Sequence, residues 1–425
     1  MKSSEWLRII EAGTSAALSR LYTSDPAVKE RFTSAIRAFE QQYGTDRDIA
    51  VFSVPGRSEI IGNHTDHNRG AVIAGAIDRD IIAIAAKNTD GVVRVQSEGY
   101  RENRVDVARA GDPKNFNAFG SEALVAGVTG GFIKRGYAVG GFDAYTTTRV
   151  LKGSGLSSSA AFEVMIGTVM NHLYNEGRIA APEIAKIAQY AENVYFGKPC
   201  GLMDQMACAV GGFVFIDFAD PETPIIEPID FSLTDAGYAL AIINTGGSHS
   251  DLNDDYASVP AEMRAVASYF GREVLRGISE GELLANAAVL RRAVGDRALL
   301  RALHFVRENE RVVAGAEALR RGSVEDFLAG ELASGRSSFE YLQNVYTNKN
   351  VAEQGLSLAL AVTEGALSGR GCAWRVHGGG FAGTIQAFVR RELAASYAEL
   401  MDSVFGKGAC MILSIRPEGA IRIEP

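Results

Sequence analysis

Cysteine is scarce in this chain. Its four cysteines, Cys200, Cys208, Cys372 and Cys410, show no C-x-x-C spacing. That excludes a disulfide framework and a cysteine-based zinc site, and it suits a reducing, cytoplasmic setting. Basic charge is not in excess either: 43 Lys and Arg against 51 Asp and Glu leave a formal net charge of −8. Nucleic acid is therefore not the expected main partner, because phosphate backbones are held by clustered cations. A nucleotide remains compatible, since it needs only a local nest of N–H groups and one metal ion. No apolar run reaches the roughly eighteen residues of a membrane span. Glu5 stands where a signal peptide would begin its apolar core. Internal repeats, low-complexity linkers and an HExxH zinc helix are also missing.

The 425 residues are 47% hydrophobic and 22% charged, ordinary for a globular protein with two or three domains. Residues 1–45 carry apolar positions at helical spacing (Trp6, Ile9, Ile10; Phe32, Ile36, Phe39). A β-like run from Asp48 to Val54 is expected to close at Pro55-Gly56. Ala71 to Ala86 reads as buried strands joined by a turn at Asp78-Arg79-Asp80. Further strands are expected at 92–96, 141–149, 211–218, 238–244, 371–377, 384–389 and 410–416. Helices are expected at 119–135, 160–173, 182–195 and through most of 261–369. The mixed order predicts two α+β lobes with a boundary near 216–235.

Four segments carry candidate chemistry. Gly153-Ser154-Gly155-Leu156-Ser157-Ser158-Ser159 runs into a helix. Glycines let the backbone approach an anion, a helix start offers free N–H groups, and serine hydroxyls add phosphate or Mg²⁺ contacts. The Gly-Lys-Ser/Thr ending of a Walker A loop is absent, and a flexible turn with a serine cap is the competing account. The second segment, Pro55-Gly56-Arg57 with Asn63-His64-Thr65-Asp66-His67-Asn68, crowds polar groups between apolar runs. Such crowding is costly unless the groups bind a ligand or one another. Arg57 suits phosphate charge; Asn63, His64 and Asp66 suit sugar hydroxyls, with a metal site at His64, Asp66 and His67 or a self-satisfied turn as alternatives. Third, Glu192 and Asp204 lie twelve positions apart; one carboxylate suits Mg²⁺ and the other a hydroxyl proton, though spacing alone equally fits a surface acid and a helix cap. Fourth, the glycines of His377 to Thr384 suit close backbone approach.

In this order, the segments resemble the GHMP kinase family and, within it, its galactokinase branch, over most of the chain from about Phe39. The matching stretches are Pro55-Gly56-Arg57 with Gly62 to Asn68, Gly153 to Ala160, Gly197 to Gln205, and Gly378 to Gly383. Asn244-Thr245 with His249, Leu252 and Tyr256 resembles the family's sugar-side loop. The resemblance implies an α+β fold of two lobes, residues 1–225 and 226–425. The first would be ribosomal-protein-S5-like with a left-handed βαβ unit, the second ferredoxin-like, with the active site in the cleft between them. It implies transfer of the ATP γ-phosphate to the anomeric hydroxyl of D-galactose, giving α-D-galactose 1-phosphate. Galacturonate, N-acetylgalactosamine and a non-catalytic galactose sensor are the alternatives. Asp204 is implied as catalytic base with Arg57 keeping it ionised. Ser158 and Glu192 are implied as Mg²⁺ ligands, Gly153 to Ser159 as the phosphate cradle, and Asn63, His64, Asp66 and Tyr256 as sugar-pocket residues. A monomer or weak homo-oligomer is expected.

The departures concern the sugar side. A Glu is usual where Asn63 stands; an uncharged amide there predicts weaker galactose binding or better tolerance of a C6 carboxylate. His67 replaces a Tyr, Val259 an Arg, and Leu151-Lys152 a Pro-containing entry to the phosphate loop, while the triple glycine and Ala382 alter the last motif.

Overall fold

The strand expected to close at Pro55-Gly56 continues through them. In the computed structural model, which describes residues 1–13, 15–22, 26–150, 155–247 and 252–425, β1 spans Ala50–Ile61 and pairs antiparallel with β2, Ala71–Lys87. The register shifts between Pro55 and Arg57, and again between Glu59 and Ile61. Pro55-Gly56 is thus a bulge and not a stop, a place where a residue without an N–H is tolerated. Gly56 is needed for close approach: a Cβ there would lie 2.8 Å from the Leu156 carbonyl oxygen. The turn expected at Asp78-Arg79-Asp80 is likewise absorbed into one continuous β2, opposite that bulge.

Three helices precede β1, as the apolar spacing predicts: α1 (Ser3–Ala12), α2 (Ala16–Leu21) and α3 (Val28–Tyr43). Trp6, Phe32, Ile36 and Phe39 pack on Val51, Ile82 and Ile84. The alternate residues Phe52, Ala83 and Ala85 face the other side, as period-two pleating requires. There they meet α4 (Ser121–Lys134), α5 (Ser158–Tyr174), α6 (Ala181–Tyr190) and α7 (Met203–Val210). The sheet is completed by β3 (Val92–Ser97), β4 (Asn103–Asp106), β5 (Phe142–Thr148), β6 (Phe213–Asp217) and β7 (Ile225–Ile229). β5 lies antiparallel to β2 and parallel to β3.

The second sheet is antiparallel, in the order β11-β8-β10-β9, with β8 at Tyr238–Asn244, β9 at Ala373–His377, β10 at Thr384–Arg390 and β11 at Cys410–Leu413. A helical unit lies between β8 and β9. It comprises α8 (Asn253–Tyr269), α9 (Glu280–Ala285), α10 (Ala287–Ala293), α11 (Asp296–Arg320), α12 (Val324–Ser337) and α13 (Gly355–Leu367). Leu240 and Ile242 of β8 pack on α11 and α12, together with Ile60, Ile61 and Ile73 of the first sheet. Ala241 and Ile243 face α13 and α14 (Arg391–Phe405). The last strand, β12 (Ile421–Ile423), returns to pair with β1. The expected lobe boundary at 225/226 coincides with the start of β7, which still belongs to the first sheet; the change of sheet follows Ile229. Among the described residues, no helix is long and apolar enough to cross a membrane.

Candidate active site

The bulge at Pro55-Gly56 sets Arg57 at the start of α5. The Arg57 backbone N–H donates to the Leu156 carbonyl (3.2 Å), and its Nη1 donates to the Gly155 carbonyl (2.6 Å). The rest of the guanidinium forms a fork on Asp204, in the first turn of α7: Nε to Oδ1 and Nη2 to Oδ2, each 2.8 Å. Two parallel bonds of this kind fix both orientation and charge. The Ser157 hydroxyl adds a third donor to Asp204, 2.5 Å from Oδ2. Burial by itself would raise the Asp204 pKa; the Arg57 charge, the Arg57 bonds and Ser157 outweigh it and hold the carboxyl below its usual range. Asp204 is therefore ionised at neutral pH. Its side chain is 34% exposed against 10% for Arg57, so the carboxylate is the member of the pair that a ligand reaches.

Ser157 caps α5 in the left-handed region at φ 58°, leaving Ser158 and Ser159 in the first helical turn, where N–H groups lack intrahelical partners. Gly155 is also left-handed, and a Cβ there would meet Nδ1 of His377 at 3.2 Å. His377 bridges Ser58 and Thr384 through its two ring nitrogens, at 3.1 and 2.9 Å. Burial, reinforced by the Arg57 and Arg375 charges, pushes its pKa down to about 3, so it is neutral. Gly153, Ser154, Leu151 and Lys152 lie outside the described residues, as does His249.

Glu192 is buried in a π-helical turn, Ala191–Phe196, that continues α6. Such turns recur at functional sites. Its Oε2 accepts from Gln205 Nε2 at 2.9 Å and its Oε1 faces Lys198 Nζ at 3.4 Å. The same Gln205 nitrogen donates to Oε2 of Glu163 on α5, at 3.1 Å. Glu163 escaped the sequence reading, and Gln205 stands in the matching stretch Gly197 to Gln205 with no role assigned to it. The available signal was a lone acid in the apolar stretch Ala160 to Met170. Burial and the Glu192 charge push the Glu163 pKa well up. Glu163 Oε1 and Gln205 Oε1 are buried without a hydrogen-bond partner. Among the described residues no hydrogen bond joins Ser158 to Glu192.

The third part of the site is a cavity of about 130 Å³ whose walls include Glu59, His64, Asp66, His67, Met203 and Gly379. Met203 places it next to Asp204. Asp66 Oδ2 lies only 2.8 Å from where a Cβ on Gly201 would stand, so a side chain there would displace the Asp66 carboxylate. Nε2 of His64 faces the Gly379 carbonyl at 2.9 Å, and a carbonyl only accepts, so this nitrogen carries the proton. Nδ1 of His64 faces His67 Nε2 at 3.0 Å. Burial and the neighbouring His67 lower the His64 pKa to about 3.

Two of the residues expected to line the sugar pocket hold its walls instead. Asn63 is fully buried. Its Nδ2 donates to Glu59 Oε1 (3.0 Å) and the Gly378 carbonyl (2.7 Å), while its Oδ1 accepts from Asn344 (2.7 Å). The Tyr256 hydroxyl donates to the Gly380 carbonyl at 2.8 Å, and its ring packs edge-on against Phe381. Glu59, which the sequence reading passed over, lines the cavity where Asn63 was expected. Val259 is buried in the helical unit. A larger groove of about 930 Å³, walled by Arg79, Arg149 and Arg391, contains none of the expected site residues.

Two family models match the chain. A galactokinase galactose-binding signature matches residues 37–87, and the GHMP kinase N-terminal domain matches residues 123–212. A galactokinase of Streptomyces coelicolor is 30% identical over 376 residues, covering 86% of this chain and 91% of that protein. A galactokinase of Glaesserella parasuis is 32% identical over 373 residues, covering 87% and 92%. Among solved structures, Lactococcus lactis galactokinase complexed with galactose superposes with a TM-score of 0.76 at 22% identity, covering 92% of this chain and all of that one. A mevalonate kinase superposes at 0.61 with 14% identity, covering 87% and 99%.

Proposed function

Because this chain belongs to the galactokinase family of GHMP kinases, we propose that it transfers the γ-phosphate of ATP to the anomeric hydroxyl of D-galactose, giving α-D-galactose 1-phosphate and ADP. The observation that carries the reading is the Arg57 fork on Asp204 beside the start of α5. Phosphoryl transfer runs through a loose transition state and asks the protein mainly for positioning and charge compensation. Asp204, ionised and a third exposed, accepts a hydrogen bond from the sugar's C1 hydroxyl and orients its oxygen. Its lowered basicity suits late proton transfer, after the hydroxyl oxygen has begun to bond to phosphorus and become acidic. Arg57 faces charge on the moving phosphoryl group while it holds Asp204. Gly155 to Ser159 present the backbone N–H groups and hydroxyls of a helix start to the phosphates; Gly153 and Ser154 precede them in the chain.

Mg²⁺ fits the residues present. Among the described residues, Glu163 and Glu192 share a single amide donor, Lys198 is the one cation hydrogen-bonded to them, and two buried oxygens have no partner. Such a cluster favours a hard cation with oxygen ligands. Glu192 and the Ser158 hydroxyl would hold it, and when bound it supplies charge neutralisation on the triphosphate. His64 and Asp66 line the sugar cavity, while Asn63 and Tyr256 support it from behind.

The test is ADP release with a sugar panel, with the product identified by phosphorus NMR. D-Galactose turnover well above that of D-galacturonate and N-acetylgalactosamine, with α-galactose 1-phosphate as product, is the expected result. Galactose binding without ADP release at any Mg²⁺ concentration would replace the enzyme with a sensor.

A further inference from the structure

The geometry points to Glu59 as the residue that holds one hydroxyl of the acceptor sugar and so sets the preference for a neutral sugar. This inference rests on the galactose kinase reading above.

Glu59 is 7% exposed and forms part of the cavity wall. One of its oxygens is fully engaged: Oε1 accepts from Asn63 Nδ2 at 3.0 Å and from Arg375 Nη2 at 2.8 Å. Arg375 is itself completely buried and balances the Glu59 charge. The other oxygen, Oε2, has no hydrogen-bond partner among the described residues. A carboxylate oxygen accepts, and Oε2 is not one of the fully enclosed unpartnered atoms, so it opens on the cavity and is available to whatever enters it. The group that fits it is an O–H donor entering the cavity.

No neighbour does that work. Asn63 uses both ends of its amide within the protein, and His64 directs its only proton at Gly379. Asp66 and Glu59 give the cavity two carboxylates, while the guanidinium of Arg375 is not among its walls. A neutral polyol brings the donors these oxygens need. A uronate meets them with a third carboxylate that has nothing to donate. The uncharged Asn63 therefore does not open the pocket to a C6 acid, because a carboxylate faces the ligand from four residues earlier.

The experiment compares wild type with Glu59→Gln on D-galactose and on its 2-, 3-, 4- and 6-deoxy analogues, reading KM and kcat for each sugar and KM for ATP. For galactose, E59Q is expected to raise KM roughly ten- to hundredfold and leave KM for ATP unchanged. One deoxy sugar, poor for the wild type by a similar factor, should carry no further penalty in E59Q, because the hydroxyl and its acceptor are removed as a pair. A purely packing role for Glu59 would leave every deoxy penalty intact. An unchanged galactose KM, or deoxy penalties equal in the two enzymes, overturns the inference. If E59Q fails to fold, Glu59→Asp keeps a charge beside Arg375 while withdrawing the second oxygen, and is judged by the same two criteria. Should the wild type phosphorylate no galactose, the parent reading falls first and this one with it. That result is visible before any variant is compared.

Discussion

The Arg57–Asp204 pair makes a quantitative prediction about stability as well as rate, because its two members are buried unequally. Removing Asp204 in Asp204→Ala strands a guanidinium whose side chain is only 10% exposed. It keeps one bond, to the Gly155 carbonyl. Breaking a buried ion pair from one side costs about 3–5 kcal/mol, and the surviving bond places this case near the lower end, about 3 kcal/mol. Removing Arg57 in Arg57→Met strands a carboxylate that is 34% exposed and still receives the Ser157 hydroxyl. Solvent screening at that exposure reduces the cost to about 1–2 kcal/mol. The double variant leaves no unpaired charge, so it should be no less stable than Asp204→Ala alone, with a coupling of about 1–2 kcal/mol. Urea unfolding of the four proteins at pH 7.5 reads these differences, and ADP release reads the rates. All three variants should lose roughly a thousandfold or more in kcat, while galactose binding stays measurable by calorimetry. Costs that simply add in the double variant, or an Arg57→Met loss as large as that of Asp204→Ala, would refute the picture of an asymmetrically buried, mutually compensating pair.

Gly56→Ala places a Cβ 2.8 Å from the Leu156 carbonyl and 2.9 Å from Val150. It should cost about 1–3 kcal/mol and lower kcat/KM by displacing Arg57, which a melt and an ADP-release assay would check. Glu192→Gln removes a charge from the proposed Mg²⁺ site. It should raise the Mg²⁺ concentration for half-maximal rate at least roughly tenfold with little effect on stability. Glu331 is fully buried, and burial pushes its carboxyl up to about 8 despite Arg375. The folded state therefore binds this proton more tightly than the unfolded chain. The group's contribution is whole below about 4.5 and is lost as pH rises through about 8. The urea midpoint should fall between pH 5 and pH 8, and Glu331→Gln should flatten that slope. Glu308, held down to about 2 despite its burial by Arg311, His304 and Arg375, works oppositely. Its contribution is whole above about 4.5 and disappears as pH falls towards 2.

The residues proposed to meet phosphate and the reacting hydroxyl are legible in the sequence because they sit in contiguous motifs whose composition has few other uses. Arg57 follows a Pro-Gly bulge, and Asp204 opens a helix after small residues. Gly155 to Ser159 combine a left-handed turn with a helix cap. Glu59 is not legible as a site residue because Pro55-Gly56 reads as the end of its strand. Only once β1 is seen to run on to Ile61 does Glu59 become a strand residue two positions beyond Arg57. Asn63 was misplaced for a different reason. Its amide is claimed by Gly378 and Asn344, 315 and 281 residues away in the chain, and no local pattern announces partners at that separation. The short strands β4, β7 and β12 are not legible because brief elements carry too little periodicity to stand out. The fifteen-residue α14, with Ala394, Tyr397 and Met401 at helical spacing, is legible and was passed over.

Those distant partners explain why the sugar-side loop can be a binding surface at all. Its left-handed His64 (φ 58°) and the open backbone around Gly62 would be mobile if held only locally. Helix α11 holds them from the helical unit: Glu308 Oε1 accepts from the Gly62 and Asn63 N–H groups at 3.1 and 3.3 Å, and His304 Nε2 meets the Asn63 carbonyl at 2.9 Å. The second sheet holds them from the other side, through Arg375 and Gln386 on the Ile60 carbonyl. The loop therefore belongs energetically to both lobes. A substitution such as Glu308→Gln, which touches no ligand atom, should weaken galactose binding by loosening this frame. It should raise KM for galactose more than KM for ATP, because the hydrogen bonds to the described part of the phosphate cradle come from Arg57 and Asp204 on the first lobe. An equal rise in both constants would mean that the two sites move as one body and that the cross-lobe strut is not specific to the sugar.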